Sequence, residues 1–312
     1  MRNKFFYMAT CVALALTAAG CSDDEEKDIP VIGDISVSGI YNVYSHGNQG
    51  WIQEDKVGLY VLSDGKAQDN LPYVSTKVAG YKEVEMGGKT YILYNEKIVE
   101  DTPLKPASDI KAGFKAGEHW IYAYVPFSEA SKDHTAVALP DVSVQQYYAA
   151  EFMPHRKYGF DVAAAKVSAY SAAVVSLGEF KPLFSQITLP SVACPETLVG
   201  KKLTKVVVTC DRPLSYEPGA TINLATMEIA GKGLNTVTYE IPDGLEVKAN
   251  KRGGASLETC YVMIAVPFET ALNCTFKFDL TIDGRVYTIN GQPDARKSSR
   301  NNLNMHGIEG IK

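Results

Sequence analysis

The residues Thr275-Phe276-Lys277-Phe278-Asp279-Leu280-Thr281-Ile282 alternate polar and apolar without a break. Period two fits one conformation, a strand with Phe276, Phe278, Leu280 and Ile282 on a buried face and the other four in water. Asp283-Gly284 follows, a pair that tolerates the left-handed backbone of a tight hairpin turn, and residues 286–289 return as the partner strand. No long stretch carries a sustained 3.6-residue period, and the best helical candidate, 144–152, is short. Such a chain buries its apolar surface through sheets.

Further strands are predicted at 35–44, 56–62, 73–78, 90–94, 119–127, 136–139 and 167–175, then at 184–189, 203–210, 220–229, 236–241, 259–266 and 274–282. Turn residues punctuate them: Ser63-Asp64-Gly65, Gly87-Gly88 and Asn95-Glu96. Pro126 closes the strand before it, because proline cannot donate to a central ladder. The reading is all-β, built from antiparallel β-sandwiches. About a dozen strands exceed the seven or so of one sandwich, so two in series are expected, 34–178 and 179–312, joined near Leu177-Gly178-Glu179.

The amino terminus has a different grammar. Arg2 and Lys4 precede an apolar run, residues 5–19, that ends in small side chains. That order marks a secretory signal over residues 1–20, and the run is shorter than the roughly 20 apolar residues of a membrane span. Ala18-Ala19-Gly20-Cys21 resembles the bacterial lipobox, although Ala18 stands where a leucine is usual. The resemblance implies cleavage before Cys21 and a lipid on its sulfur. Residues 21–33 are acidic and then proline-containing, without apolar periodicity, and read as a tether. Within it Ser22, Asp23, Asp24, Glu25 and Glu26 are similar to the acidic export tag that sends lipoproteins of Bacteroidales-type bacteria to the outer face. A merely solvated spacer is the plainer alternative.

Losing Arg2 and Lys4 takes Lys+Arg from 31 to 29 against 36 Asp+Glu, a net of −7. Nucleic acid and anionic lipid both call for basic surface, so neither is expected as a partner. Membrane attachment would then come through the lipid alone. With Cys11 in the leader and Cys21 acylated, Cys194, Cys210, Cys260 and Cys274 remain, and their spacing leaves three pairings open. If 259–266 and 274–282 form a hairpin, Cys260 and Cys274 lie a strand's length apart, beyond the ~7 Å Cα limit of a disulfide. Buried free thiols are the default.

Catalytic constellations are missing from the sequence. His46, His119, His134, His155 and His306 lack zinc-site spacing, and neither a nucleophile elbow nor a P-loop occurs. Arg252-Gly253-Gly254-Ala255-Ser256 reads as a turn, and the acidic residues 23–26 lack the folded loop of a calcium site. A non-enzyme without metal or cofactor is expected. Of the two tryptophans, Trp120 starts a probable core strand, whereas Trp51 sits in the polar loop 45–55 and is the better candidate for a surface contact.

Several segments then fall into a known order. Asp55-Lys56-Val57-Gly58-Leu59-Tyr60-Val61, Tyr122-Ala123-Tyr124-Val125-Pro126-Phe127-Ser128, Glu151-Phe152-Met153, Phe184-Ser185-Gln186-Ile187, residues 262–267 and Asp283-Gly284-Arg285-Val286-Tyr287 resemble the fimbrillin-like family of major and minor fimbrillins, the type V pilus subunits. Each motif alone is weak. Their order over most of residues 35–290, with the lipoprotein start, carries the resemblance. It implies two transthyretin-like sandwich domains, export as an outer-membrane lipoprotein, and assembly with other pilus subunits by strand donation. Cleavage after an arginine removes the first strand of a stalk subunit, and a neighbour's strand fills the groove.

This chain has no arginine between Arg2 and Arg156, and Lys27, Lys56 and Lys66 are the basic residues near a plausible cut. Two expectations follow. Either the first strand and the lipid on Cys21 are retained, as suits an anchor or terminal subunit, or a stalk subunit is cut at a lysine such as Lys56. The end of the chain, 296–312, reads equally as a last strand through Leu303 and Met305, a donor arm, or a disordered tail. The rival function is a surface glycan-binding lipoprotein, which would cluster exposed aromatic side chains. A host or bacterial surface receptor is a further partner in the adhesive reading.

Overall fold

The computed structural model describes residues 31–32, 36–41, 50–52, 55–63, 66–86, 89–94, 100–109, 114–115, 117–146, 157–169, 174–250, 254–298, 302–306 and 310–311. The fold is all-β. The strands of three residues or more are β1 (Ser36–Ile40), β2 (Lys56–Ser63), β3 (Lys66–Ser75), β4 (Tyr81–Met86), β5 (Lys89–Tyr94), β6 (Thr102–Pro106), β7 (Gly117–Val125), β8 (Val144–Gln146), β9 (Asp161–Ala169) and β10 (Val174–Glu179). They continue with β11 (Ser185–Leu189), β12 (Lys202–Thr209), β13 (Thr236–Glu246), β14 (Cys260–Ile264), β15 (Phe276–Ile282), β16 (Arg285–Pro293) and β17 (Asn302–His306). Phe268–Ala271 is a single helical turn, and among the described residues no helix is long and apolar enough to cross a membrane.

Two eight-stranded sheets carry the molecule. The first runs β10-β1-β6-β3-β2-β7-β9 and ends on the short strand Lys181–Pro182. Its far members β9 and β10 come into contact, so the sheet curls round its own core. The second runs β8-β13-β12-β15-β16-β17-β11-β14. Within these largely antiparallel sheets, three neighbours run parallel: β1 with β10, β17 with β11, and β8 with β13.

The alternating stretch behaves as its pattern requires. Phe276, Phe278, Leu280 and Ile282 are fully buried in β15, and Asp283 and Gly284 both take left-handed φ in the turn to β16. Each such apolar side chain contributes about 1.5–3 kcal/mol through burial. They join a core that runs from Ile187 to Ile311, while a second core gathers residues from Val37 to Phe184 and adds Ile222, Leu224, Met263 and Ala265. At the end of the chain, Leu303 and Met305 are buried in β17 between β16 and β11, so a last strand is what forms there.

Three expectations need correcting. Residues 144–146 form β8, not the start of a helix, because Val144 pairs with Thr238 and Gln145 with Tyr239 of a strand far along the chain. The predicted strand 167–175 joins the end of β9 to the beginning of β10, two separate strands. The predicted strand 220–229 survives only as the two-residue pieces Thr221–Ile222 and Ile229–Ala230, with Met227 at a left-handed φ of 62° between them.

The segment leading into β8 stitches the halves together. Val137–Ala138 pairs with Thr221–Ile222, and the main chain of Ser143 accepts from Thr238. Gln145, fully buried, donates through Nε2 to the carbonyls of Val142 (3.0 Å) and Met263 (2.6 Å), and its Oε1 accepts from the Met263 amide (3.0 Å). Its side-chain amide thus does for the edge strand β14 what a neighbouring strand would, satisfying both main-chain groups of Met263 and closing the second sheet where β8 and β14 meet.

Candidate functional site

The first strand is held from both sides. Val37 lies opposite Leu104 of β6 and Val175 of β10, and Ser38 opposite Pro103 and Ser176. Val37, Ser38, Gly39 and Tyr41 are all buried. At the end of the strand, three aromatic rings form a plug. Tyr41 stacks on Trp51 with centroids 4.9 Å apart, and Phe180 meets both edge-on, at 6.3 Å and 5.6 Å. The Trp51 indole donates to the Gly39 carbonyl (3.2 Å), and the Phe180 amide donates to that of Ile40 (2.9 Å). Gly39 is needed for the approach: a Cβ there would sit 2.9 Å from Phe180 Cε2.

Without β1, the edges of β6 and β10 would face each other across a groove bordered by Leu104, Val175, Trp51 and Phe180. Such a groove offers main-chain donors and acceptors on both walls and apolar pockets at its floor. Its chemistry is that of an acceptor for one short strand.

The two tryptophans exchange their expected places. Trp51 is fully buried; its carbonyl accepts from the Ala79 amide (2.7 Å), and Ile52 bridges to Ala79. Trp120, near the start of β7 opposite Leu62 and Lys166, is 43% exposed. Its ring lies parallel to Tyr122 (5.8 Å, 7°), and Tyr122 lies parallel to His134 (5.7 Å, 10°). Burial, with the neighbouring charge of Asp133, raises the Asp69 carboxyl above the usual carboxylate range. Hydrogen bonds from Thr135 hold Asp133 low. Of the stacked pair Trp120 and Tyr122, only Trp120 opens to solvent, because Tyr122 is buried beneath it.

The proposed lipid site Cys21 and the export residues Ser22, Asp23, Asp24, Glu25 and Glu26 lie outside the described residues, as do His46, His155, Arg252 and Gly253. Lys56 opens β2. Its side chain is exposed, but its backbone is already paired, with Val74 opposite and its carbonyl accepting from the Phe127 amide (3.0 Å).

Cys194, Cys210, Cys260 and Cys274 are all buried and unbonded. The hairpin expected between 259–266 and 274–282 does not form: β14 pairs with β11, whereas β15 pairs with β12 and β16. Cys274 lies instead beside Cys210, whose own thiol donates to the Asp211 carboxylate (3.1 Å), and the ligand atoms of all three residues fall within 4.8 Å of one another. This grouping escaped the sequence because its members come from two separated strand ends.

No protein-family model and no curated protein matches the chain. Among solved structures, it is similar to a "putative cell adhesion protein" from Bacteroides uniformis, with 15% identity over 82% of this chain and 83% of that one (TM-score 0.49). A counterpart from Bacteroides ovatus shares 12% identity over 90% and 98% (TM-score 0.47). A fimbrial assembly protein from Parabacteroides distasonis shares 13% over 81% and 99% (TM-score 0.32). At such identities and scores, the function is argued from the chain itself.

Proposed function

We propose that this protein is a surface-exposed structural or adhesive pilus component, assembled with other subunits by strand exchange at the β1 groove and held at the outer membrane by a lipid on Cys21. It works as two consecutive domains, 34–178 and 179–312, and by binding rather than catalysis. The observation that carries the reading is β1 itself: a five-residue strand seated between two others and capped by the Tyr41–Trp51–Phe180 plug. The fimbrillin-like resemblance supplies the mode of assembly.

The role within a pilus follows from the cut that is hard to make. No arginine lies between Arg2 and Arg156, and Lys56 offers a protease a backbone already paired in a sheet. The chain therefore keeps β1 and its lipid, and serves as an anchor or terminal subunit whose own groove stays closed. Mass spectrometry of the protein recovered from the cell surface tests this directly. An acylated amino terminus at Cys21 is expected; a terminus at Val57 with no lipid would overturn the anchor role.

A second reading has its own observation. The exposed ring of Trp120, stacked on the buried Tyr122, offers one face on which a sugar could stack, which favours a surface glycan binder. Because Trp51 is buried and Trp120 exposed, added oligosaccharide would change the emission of Trp120 alone. A panel of oligosaccharides that leaves the fluorescence of wild type and Trp120→Phe equally unmoved removes this reading.

A further inference from the structure

We propose that Cys210 and Cys274 close into a disulfide when the chain meets a thiol–disulfide oxidant, giving the second core a covalent cross-link. Cys210 directly follows Thr209, the last residue of β12, and Cys274 stands two residues before Phe276, the first of β15. These strands are hydrogen-bonded neighbours, with Thr209 opposite Lys277. Both side chains are buried, at 6% and 3% exposure, and their sulfurs lie within 4.8 Å. A disulfide needs sulfurs about 2.0 Å apart and Cβ atoms about 3.5–4.5 Å apart. The remaining gap is of the size that side-chain rotation covers, with no change of fold.

The same three residues could be read as a zinc site, two sulfurs and a carboxylate. The hydrogen bonds speak against it. The Cys210 thiol donates to Asp211 Oδ1 (3.1 Å), and the Cys274 thiol donates to the Thr270 carbonyl (3.5 Å), so each sulfur already has a partner within the protein. Burial, reinforced by Asp211 and Cys274, pushes the Cys210 thiol up to about 12. A metal would have to displace both protons in an apolar setting, whereas oxidation removes them as part of the reaction.

The electron balance is simple. One cysteine, as thiolate, attacks oxidised glutathione and releases one glutathione thiol. The second cysteine then attacks the mixed disulfide and releases the other, so two electrons pass from the pair to the glutathione disulfide and the two protons are accounted for. In the cell the oxidant belongs to the exported compartment assigned above, so the setting rests on that reading while the chemistry does not.

The test starts from the reduced full-length chain incubated with oxidised glutathione. Remaining thiols are blocked with iodoacetamide, and the chain is cut with trypsin and a glutamate-specific protease, which separates Cys260 from Cys274 at Glu269. A cross-linked Cys210–Cys274 peptide pair is expected, with Cys194 and Cys260 alkylated. The oxidised chain should melt roughly 5–10 °C above the dithiothreitol-treated one. That difference should vanish in the Cys210→Ser/Cys274→Ser variant. Recovery of both cysteines as alkylated after oxidation overturns the proposal. So does one zinc per chain that shields both from iodoacetamide until a chelator removes it. If the cross-link forms with glutathione but is missing from protein taken from the cell surface, the cross-link stands and the assigned compartment falls.

Discussion

Replacing Trp51 with alanine is expected to loosen the first strand before anything else in the molecule gives way. The indole is fully buried, stacked on Tyr41 and met edge-on by Phe180, and removing an aromatic side chain from such a place costs about 3–5 kcal/mol. Its hydrogen bond to the Gly39 carbonyl is lost as well. The effect should be local, because Tyr41 and Phe180 both lose their contact with the indole at the end of β1. Hydrogen exchange at Val37, Ser38, Gly39 and Ile40 should rise by several orders of magnitude while β15 stays protected. A Phe278→Ala variant, cut into the other core, should do the reverse. Equal protection of β1 in wild type and Trp51→Ala would mean that the plug does not govern the groove.

The second large effect is expected from a single methyl group. A Cβ at Gly58 would lie 2.0 Å from Cε1 and 2.5 Å from Cζ of Tyr124, far inside contact distance. Tyr124 cannot step aside. Its hydroxyl donates to Asn70 Oδ1 (2.7 Å) and accepts from the Ser128 amide (3.1 Å), and its ring stacks on Tyr60 and Phe160. Gly58→Ala should therefore cost roughly 2–4 kcal/mol, overpacking plus hydrogen bonds left unmade. Thermal or urea unfolding of the first core reads that loss. The double-mutant cycle makes it specific: in a Tyr124→Ala background, the same substitution should cost less than about 1 kcal/mol. An undiminished cost there would place the strain elsewhere.

How much of this could be read beforehand depends on where the decisive contacts lie in the chain. β15 was plain in the sequence because one of its faces meets water and the other the core, so local chemistry and local conformation agree. Its turn was equally plain, since Asp283-Gly284 needs no distant partner. β9 was misplaced because Ala163, Ala164 and Ala165 neither alternate nor favour strands; pairing with β7 along its whole length decides it instead. β8 is a strand only through Thr238, Tyr239 and Glu240, more than ninety residues on.

The candidate site was the least legible. Polar neighbours made Trp51 look exposed, and β-strand neighbours made Trp120 look buried. Both assignments turn on how loops and sheets are covered, which composition within a few residues does not encode. The seat of β1 between β10 and β6 could not be read from the sequence, since both neighbours lie far along the chain. Cys210 and Cys274 meet because β12 and β15 pair, a relation that cysteine spacing alone left among three choices.

The parallel pairings at the two ends of the chain have a mechanical meaning. β1 lies parallel to β10, the last long strand of the first sheet, and β11 lies parallel to β17, the last strand of the second. Tension along the molecule pulls the two members of each pair in opposite directions along their common axis. Their hydrogen bonds are then strained together, as a shear, and not opened one after another as in an unzipped hairpin. Stretching single molecules from their two ends should demand more force than stretching the same protein from Gly284 at the β15–β16 turn and the carboxyl end, and equal forces would refute the idea. A body built this way resists extension best along the line that joins the outer ends of these strand pairs.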